Sequence, residues 1–289
     1  MNKRDFIKAL GTAAVAAPVA AITAGQLQQK ESVQQEESVY ARVMRTRKIR
    51  CGYLNYLNWL NKDANTGKFS GIFYDLMQEF GRITELKIEI TEEVGWGNMF
   101  EGLNNGRYET VCMGVWESMP RVHAGDFTQG LFYNGVVAVT AAGNARFDRG
   151  LDAINDPAVS IATIDGEMAE QIARTDFAKA KLTSMPQMTP MSELLLSVAR
   201  GKASVTFVEP VAVSEFLAHN PNSVKVLHQE PLRVFKTAFP IKKNQPEFLN
   251  FCNAAIAQMH NDGFIEKLLA KYEKYPGTFY RIAKPYSAA

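Results

Sequence analysis

Short apolar runs alternate with amphipathic segments along most of the chain. Apolar runs rich in β-branched residues predict strands, and they cover residues 49–53, 87–92, 111–115, 136–140, 160–164, 204–208 and 223–227. Apolar residues at three-to-four spacing predict helices, and these cover 74–83, 100–104, 167–173, 192–200 and 211–219. Such alternation is typical of an α/β protein whose parallel sheets are covered by helices.

Two longer extended segments, 136–142 and 233–241, interrupt this alternation. They suit two chain crossings between separate lobes. After the second crossing the pattern is helical again, over 246–260 and 264–274, with apolar residues on one face. We therefore expect the C-terminal helices to complete the first lobe, which makes that lobe discontinuous in sequence.

Residues 1–24 have the pattern of an export signal. Basic Lys3, Arg4 and Lys8 precede an alanine-rich apolar stretch that ends in small residues. The stretch is short for a membrane span, and Pro18 interrupts it. The string KRDFIK, residues 3–8, is similar to a twin-arginine signal. We expect export to the periplasm by either the Sec or the twin-arginine route.

Residues 25–47 form a polar linker that ends in a predicted short helix. Val39, Tyr40, Val43 and Met44 lie at three-to-four spacing within it. This apolar face is expected to pack against the first lobe.

The composition is that of an ordinary globular protein. Of 289 residues, 46% are hydrophobic and 21% are charged, and the formal net charge is +2. Loss of residues 1–24 would remove three basic side chains and one acidic side chain, which leaves a net charge near zero. Without an excess of basic side chains, a nucleic-acid partner is not expected.

The chain has three cysteines, Cys51, Cys112 and Cys252. The first two lie inside predicted core strands, where cysteine behaves as a small hydrophobic residue. We therefore expect buried thiols rather than a disulfide, although a disulfide stays open. No His or Cys pair shows the spacing of metal ligands, so no metal and no cofactor are expected.

The segment SMPRVHAGDFT, residues 118–128, carries the strongest candidate for binding chemistry. Arg121 follows the hydroxyl of Ser118 by three residues and comes just after the predicted strand 111–115. In open α/β sheets, ligands bind at the carboxyl ends of strands. The planar guanidinium suits a carboxylate, and a nearby hydroxyl can share its oxygens. The alternative is an exposed arginine in a surface ion pair, which this context disfavours.

An ordered set of short motifs accompanies that segment over about residues 48–274. They lie at 48–52, 67–71, 74–76, 96–103, 106–109, 126–128, 201–209 and 262–271. None is specific alone, but together they resemble the periplasmic amino-acid-binding proteins of ABC transporters, solute-binding protein family 3.

The resemblance implies a type II periplasmic-binding-protein fold, with two doubly wound α/β lobes joined by two crossover segments. The first lobe would comprise residues 48–139 and 237–289, and the second residues 140–236. Such a protein closes by a hinge motion on a small molecule, here an amino acid or related amine, and delivers it to the membrane permease of the transporter. We expect it to be a monomer.

The resemblance also assigns roles to individual residues. Arg121 would clamp the α-carboxylate of the ligand, together with Ser118. Glu209, on the other lobe, would hold the α-ammonium group. Two groups of opposite charge on opposite walls grip a zwitterion only when the cleft is shut.

Aromatic residues are expected to supply apolar contact with the ligand. By the resemblance, Trp96 stacks on the ligand and Trp116 faces the cleft, while Trp59 and Tyr56 follow the first strand at the same mouth. The alternative is that these rings are core packing, since a large aromatic side chain is buried in many settings.

Two departures from the family pattern bear on the identity of the ligand. Asp165-Gly166-Glu167-Met168 stands where the family has glycine followed by serine or threonine, and Gly114 and Trp116 replace frequent hydroxyl residues. Glu167 would repel a carboxylate, or bond a cationic group of the ligand. The alternative is helix capping by Asp165, with Glu167 stabilising near the helix N-terminus. The ligand is therefore a basic amino acid, an aromatic one or another small amine.

Three classes of function fit the sequence. The first is a non-catalytic binding protein for transport. The second is a periplasmic enzyme similar to the cyclohexadienyl dehydratases, with Glu167 or Glu209 as general acid. The third is a receptor module that signals to a membrane sensor. No nucleophile elbow or phosphate loop is present and the four histidines are scattered, so binding without catalysis is favoured.

Overall fold

The computed structural model describes residues 37–56 and 59–282. The predicted export signal and most of the predicted linker lie outside the described residues. The helices of the described part are α1 (Val39–Thr46), α2 (Ile72–Thr84), α3 (Met99–Asn104), α4 (Met119–Ala124), α5 (Met168–Asp176), α6 (Met191–Ala199), α7 (Pro210–His219), α8 (Pro246–Asn261) and α9 (Phe264–Tyr272). Its strands are β1 (Lys48–Tyr53), β2 (Asn61–Lys62), β3 (Phe69–Ser70), β4 (Lys87–Glu93), β5 (Thr110–Val111), β6 (Val115–Trp116), β7 (Asp126–Phe127), β8 (Phe132–Ala141), β9 (Ser160–Ile164), β10 (Lys181–Met185), β11 (Val205–Val208), β12 (Val224–Val226), β13 (Arg233–Ala238) and β14 (Pro240–Ile241).

Two main sheets form the framework of the described residues. The first has the order β4-β1-β5-β14-β7, and the second has the order β10-β9-β11-β8-β13-β6, with β12 beside β8. The pairs β1 with β4, β1 with β5, β9 with β10 and β9 with β11 are parallel. The strands β8, β13 and β14 pair antiparallel to their neighbours. The sheets are therefore mixed, and the expectation of parallel sheets holds only for their βαβ cores.

The two long extended segments predicted as crossings are the strands β8 and β13. They pair with each other in antiparallel register, from Phe132 opposite Thr237 to Val136 opposite Arg233. Both belong to the second sheet, and each is next in the chain to a strand of the first sheet, with β7 before β8 and β14 after β13. Paired crossings of this kind join two α/β lobes, as predicted. The exact lobe boundaries at 139–140 and 236–237 stay a prediction.

Apolar faces of the helices close the core on each sheet. In α2, Ile72, Leu76 and Phe80 recur every four residues and are buried, which is the spacing of one helix face. The predicted short helix of the linker is present as α1. Its Val39 and Val43 are buried, and it packs on α8, where the Tyr40 and Phe251 rings lie 5.8 Å apart.

The predicted strand 111–115 is instead two short strands in different sheets. β5 belongs to the first sheet and β6 to the second. The chain passes between them at Gly114, where a Cβ atom would lie 2.5 Å from the Thr237 side chain and 2.6 Å from the Phe73 ring. Only glycine fits that crossing without a shift of its neighbours. This change of sheet carries the following segment, with Ser118 and Arg121, to the junction of the lobes.

A disulfide joins Cys51 and Cys112, so the expectation of reduced thiols is wrong for this pair. Cys51 lies on β1 and pairs in register with Thr110 of β5, two residues before Cys112. The two Cα atoms are 5.3 Å apart, within the range that a disulfide spans. The sequence did contain an indication of this disulfide, namely two cysteines on predicted strands together with an export signal. Exported proteins fold under oxidising conditions, which favour disulfides. Cys252 is a buried free thiol, as expected.

No helix within residues 37–56 and 59–282 combines the length and the apolar character needed to cross a membrane.

Candidate functional site

Arg121 lies at the junction of the two lobes and is bonded to backbone carbonyl groups. Its Nη1 donates to the carbonyl oxygen of Trp116 (3.0 Å) and its Nη2 to that of Gly166 (3.0 Å). Gly166 follows β9, so the second bond links the first lobe to the second. Burial lowers the pKa of Arg121 to about 10, and the negative charge of Glu167 opposes that shift. The guanidinium is therefore charged at neutral pH, and a guanidinium has five N–H donors in all.

Glu209 lies on the second lobe, between β11 and α7. Its Oε2 accepts a hydrogen bond of 2.7 Å from the hydroxyl of Tyr56, which belongs to the first lobe. Burial is the main cause that raises the pKa of Glu209 to about 7, and the negative charge of Glu167 adds to it. Burial, followed by the charge of Glu209, raises the pKa of Tyr56 well above its usual value. The phenol therefore stays protonated and acts as the donor.

Glu167 is buried beside these groups and caps α5 with its own side chain. Its Oε2 accepts a hydrogen bond of 2.6 Å from the backbone N–H of Ala169. Burial raises the pKa of Glu167, while the backbone N–H groups and the charge of Arg121 oppose the rise. The sequence alternative of a cap by Asp165 is wrong, because Asp165 instead accepts a bond of 2.6 Å from the Ser184 hydroxyl. Met168 is buried in the core of the second lobe.

Three buried polar groups near these residues have no hydrogen-bond partner among the described residues. They are the indole N–H of Trp116 and the hydroxyls of Ser118 and Thr163. Ser118 occupies the N-cap position of α4, yet its side chain does not cap the helix. Buried polar groups are almost always paired, so each of these three atoms is available to hydrogen-bond a bound molecule. The sequence predicted Ser118 and Trp116 as ligand contacts but missed Thr163, the fourth residue of β9.

The two lobes also touch through a set of glycines that sequence reasoning missed. The backbone N–H of Gly97 donates to Oε1 of Gln187 (2.9 Å). A Cβ atom on Gly166 would lie 2.7 Å from the backbone nitrogen of Gly97, and Gly166 has φ +76°. Such close backbone approach requires glycine. The Gly95–Gly97 turn and Gln187 therefore hold the lobes together beside Arg121.

Trp96 is the tryptophan that lies against the charged groups. Its ring lies 5.7 Å from the Arg121 guanidinium carbon and 5.4 Å from the Tyr56 ring, edge to face. Trp96 and Tyr56 also line a pocket of about 310 Å³ at the lobe junction, whose other wall includes residues 187–192. An aromatic face at this position can cover a bound ligand and hold a cation.

The structure corrects the placement of the other two tryptophans. Trp59 is a core residue whose ring packs against Phe73, Phe132 and Phe279, and it reaches the site only through the edge of Tyr56. Trp116 stacks on Phe235 with ring centroids 4.9 Å apart. One face of the Trp116 ring is therefore covered by protein, and contact of Trp116 with a ligand stays a prediction. Gly114 is likewise enclosed by protein at the chain crossing.

Sequence comparison decides the family. The family described as bacterial extracellular solute-binding proteins, family 3, matches residues 49–275. The chain belongs to this family. The resemblance seen in the motifs and the two-lobed α/β fold that it implied are thus confirmed.

Named relatives of this family 3 protein include amino-acid-binding proteins. The L-cystine-binding protein TcyA of Bacillus subtilis is 24% identical over 213 residues, which are 73% of this chain and 75% of TcyA. A probable amino-acid ABC transporter-binding protein of Haemophilus influenzae is 22% identical over 214 residues, 73% of this chain and 78% of that protein. The crystal structure of an ancestral amino acid-binding protein, a precursor of cyclohexadienyl dehydratase, is 25% identical with a TM-score of 0.71, and the match covers 82% of this chain and all of that one.

Proposed function

We propose that this protein is an extracytoplasmic solute-binding protein that captures an amino acid, or a related small amine, between its two lobes. The observation that carries the proposal is the pair of buried groups of opposite charge, Arg121 and Glu209, on opposite sides of the lobe junction. The unpartnered hydroxyl of Ser118 and indole N–H of Trp116, beside Arg121, also support the proposal. A zwitterion complements both walls at once.

The carboxylate of the ligand is bound on the Arg121 side. Besides the two N–H groups bonded to carbonyls, the guanidinium has further donors. The Ser118 hydroxyl and the Trp116 indole N–H are buried and unpartnered. These donors suit the two oxygens of one carboxylate, and leaving them unbonded costs about 1–3 kcal/mol per group.

The ammonium group of the ligand is bound on the Glu209 side. Tyr56 holds the Glu209 carboxylate in place through its 2.7 Å hydrogen bond. The ring of Trp96 lies against both Arg121 and Tyr56, so it is placed between the two ends of the site, where it would add a cation–π contact of about 0.5–2 kcal/mol to the ammonium group.

The polar contacts alone do not account for useful affinity. Charge-assisted hydrogen bonds contribute about 1.5–3 kcal/mol each, while micromolar binding needs about 8 kcal/mol. The remainder comes from apolar contact with Trp96 and Tyr56 and from exclusion of water when the lobes close. Affinity is therefore tied to the closed arrangement, in which Gly97, Gly166 and Gln187 are in contact.

We place the protein in the periplasm as the binding component of an ABC transporter. The export pattern of residues 1–24 and a relative named as an amino-acid ABC transporter-binding protein support this assignment. The closed protein would present both lobes to a membrane permease, and it would act as a monomer.

A second candidate is an enzyme on the same fold. A buried carboxyl group with a pKa of about 7, as in Glu209, is suited to general acid catalysis at neutral pH. The ancestral structure that resembles this chain is a precursor of a cyclohexadienyl dehydratase. Turnover of prephenate or arogenate that disappears in Glu209→Gln would establish this function instead.

Thermal melting with a panel of amino acids and amines at pH 8 tests the binding proposal. A true ligand at a hundredfold excess over its dissociation constant stabilises the folded state by about 2.7 kcal/mol, which raises Tm by about 5–10 °C for a chain of this size. The shift is expected in the wild type and is expected to be lost in Glu209→Gln. If no amino acid or amine in the panel shifts the Tm, the proposal is wrong.

Calorimetric titration of the ligand so found, at pH 6 and at pH 8, reports on Glu209. The pKa of Glu209 is raised to about 7, so it is mostly ionised at pH 8 and mostly protonated at pH 6. An ammonium group needs the ionised form, and affinity should fall about tenfold from pH 8 to pH 6. The Glu209→Gln variant should bind weakly at both values, with little dependence on pH.

A further inference from the structure

The lobe junction carries more buried negative charge than positive charge. Four charged side chains are buried among the described residues, namely Glu109, Arg121, Glu167 and Glu209. Glu109 is bonded to Arg42 and Arg50, away from the cleft. The other three lie together at the junction, one basic and two acidic.

From this imbalance, and given the proposed function, we infer that the natural ligand is a cation of net charge +1. A neutral zwitterion supplies one positive and one negative group, so it leaves one buried carboxylate without a counter-charge. A ligand with one additional positive charge neutralises the site. Burial raises the pKa of both carboxyl groups, and an uncompensated buried carboxylate is strongly unfavourable. A ligand with the additional positive charge lets both groups stay ionised, whereas a neutral zwitterion binds only if one of them is protonated or left without a counter-charge.

Glu167 is the residue that creates the imbalance, and it cannot turn away from the site. It is 6% exposed, and its carboxylate is fixed by the backbone N–H of Ala169 at the start of α5. Its charge acts on both Arg121 and Glu209.

The pocket beside the site has room for a second cationic group. It has a volume of about 310 Å³ and shares Tyr56 and Trp96 with the site. Among the described residues that line it, Glu93 is acidic and none is basic. A cationic group bound in this pocket would therefore lie near the Glu93 carboxylate.

A net charge of +1 can arise in two ways. A basic amino acid keeps its carboxylate and adds a side-chain cation, whereas a simple amine lacks the carboxylate. The indole N–H of Trp116 is buried without a protein partner, and a carboxylate on the ligand offers it an acceptor. The structure thus favours the basic amino acid.

Calorimetric titration at pH 8 with charge-matched pairs tests the inference. The pairs are L-arginine with L-citrulline, L-lysine with L-norleucine, and tyramine with L-tyrosine. The +1 member is expected to bind at least tenfold tighter than its neutral partner in one of the first two pairs. If only the tyramine pair shows tighter binding of the +1 member, the ligand is still a cation, and its class is an amine without a carboxylate.

The variant Glu167→Gln identifies the source of that preference. It removes the extra negative charge with little change in shape. The ratio of the affinities for the cationic and the neutral member of the pair should therefore shrink to threefold or less. Glu193→Gln, an exposed acidic residue on α6 of the same lobe, should leave the ratio unchanged.

Failure of the inference is distinct from failure of the proposed function. Neutral members that bind as tightly as their cationic partners would overturn the inference, and so would a ratio that Glu167→Gln leaves intact. Titration of the ligand pairs into the wild-type protein tests the preference for a cation even if the Glu167→Gln variant does not fold. Tight binding of a neutral amino acid would overturn only the inference that the ligand has net charge +1. Absence of binding by every amino acid and amine would refute the proposed function itself.

Discussion

Replacing Arg121 by alanine should weaken ligand binding by about 30-fold to several thousandfold. Truncating one partner of a buried charge pair costs about 2–5 kcal/mol, because the ligand carboxylate loses its counter-charge in a buried site. Arg121 is 9% exposed and bonded across the junction to the Gly166 carbonyl, so the variant also loses a contact between the lobes. Calorimetry with the ligand from the panel measures both the affinity and the enthalpy.

The matched control is Arg82→Ala. Arg82 lies on the exposed side of α2 and forms a surface ion pair with Glu79, a type of contact that contributes little. The affinity of the Arg82→Ala protein for the ligand should stay within twofold of that of the wild type. An Arg121→Ala protein that binds a carboxylate ligand as well as the control would show that the clamp has been assigned to the wrong residue.

Removal of the disulfide between Cys51 and Cys112 should lower the free energy of unfolding by about 2–4 kcal/mol. The cross-link closes a loop with a sequence separation of 61, so its loss increases the freedom of the unfolded chain. It also joins β1 to the chain after β5 in the centre of the first sheet. Denaturant unfolding of the double variant Cys51→Ala/Cys112→Ala, compared with oxidised wild type, measures the difference.

Thiol titration in denaturant without reductant checks the pairing itself. We expect one free thiol per chain, that of Cys252. Three free thiols in freshly exported protein would contradict the disulfide. Cys252→Ala serves as the control for unfolding, because it removes a buried thiol from α8 and leaves the cross-link in place.

The sequence predicted the fold well because the fold depends on local periodicity. The helices α2 and α8 and the strands β1, β4 and β9 lie within two residues of their predicted bounds. Each has an apolar face with regular spacing. The exposed strand β10 was missed, because its residues are mostly exposed or half-buried and carry no apolar alternation.

The parts that sequence reasoning missed depend on contacts between residues far apart in the chain. The passage from β5 to β6 is set by Gly114 against Thr237, and no local pattern records that contact. The same holds for Gly97 against Gln187 and for Cys51 with Cys112. Trp59 was chosen for its position after the first strand, and that position alone cannot distinguish a ring in the core from a ring in the cleft.

The candidate site was predictable where its residues have fixed positions in an ordered set of motifs. Arg121 and Glu209 were chosen from such positions, and the structure places both at the lobe junction with Trp96 and Tyr56. Direct contact of these residues with a ligand stays a prediction. The sequence left open whether Glu167 faces the ligand or stabilises the start of a helix. Its burial and its cap on α5 are properties of the folded chain, so they could be seen only in the structure.

A crystal structure with the ligand that gives the largest thermal shift tests the central claim most directly. We predict a carboxylate oxygen within about 3.2 Å of the Arg121 guanidinium and an ammonium nitrogen within about 3.2 Å of Glu209, with Trp96 over the ligand. A ligand bound outside the lobe junction, or with its ammonium group toward Arg121, would contradict the account.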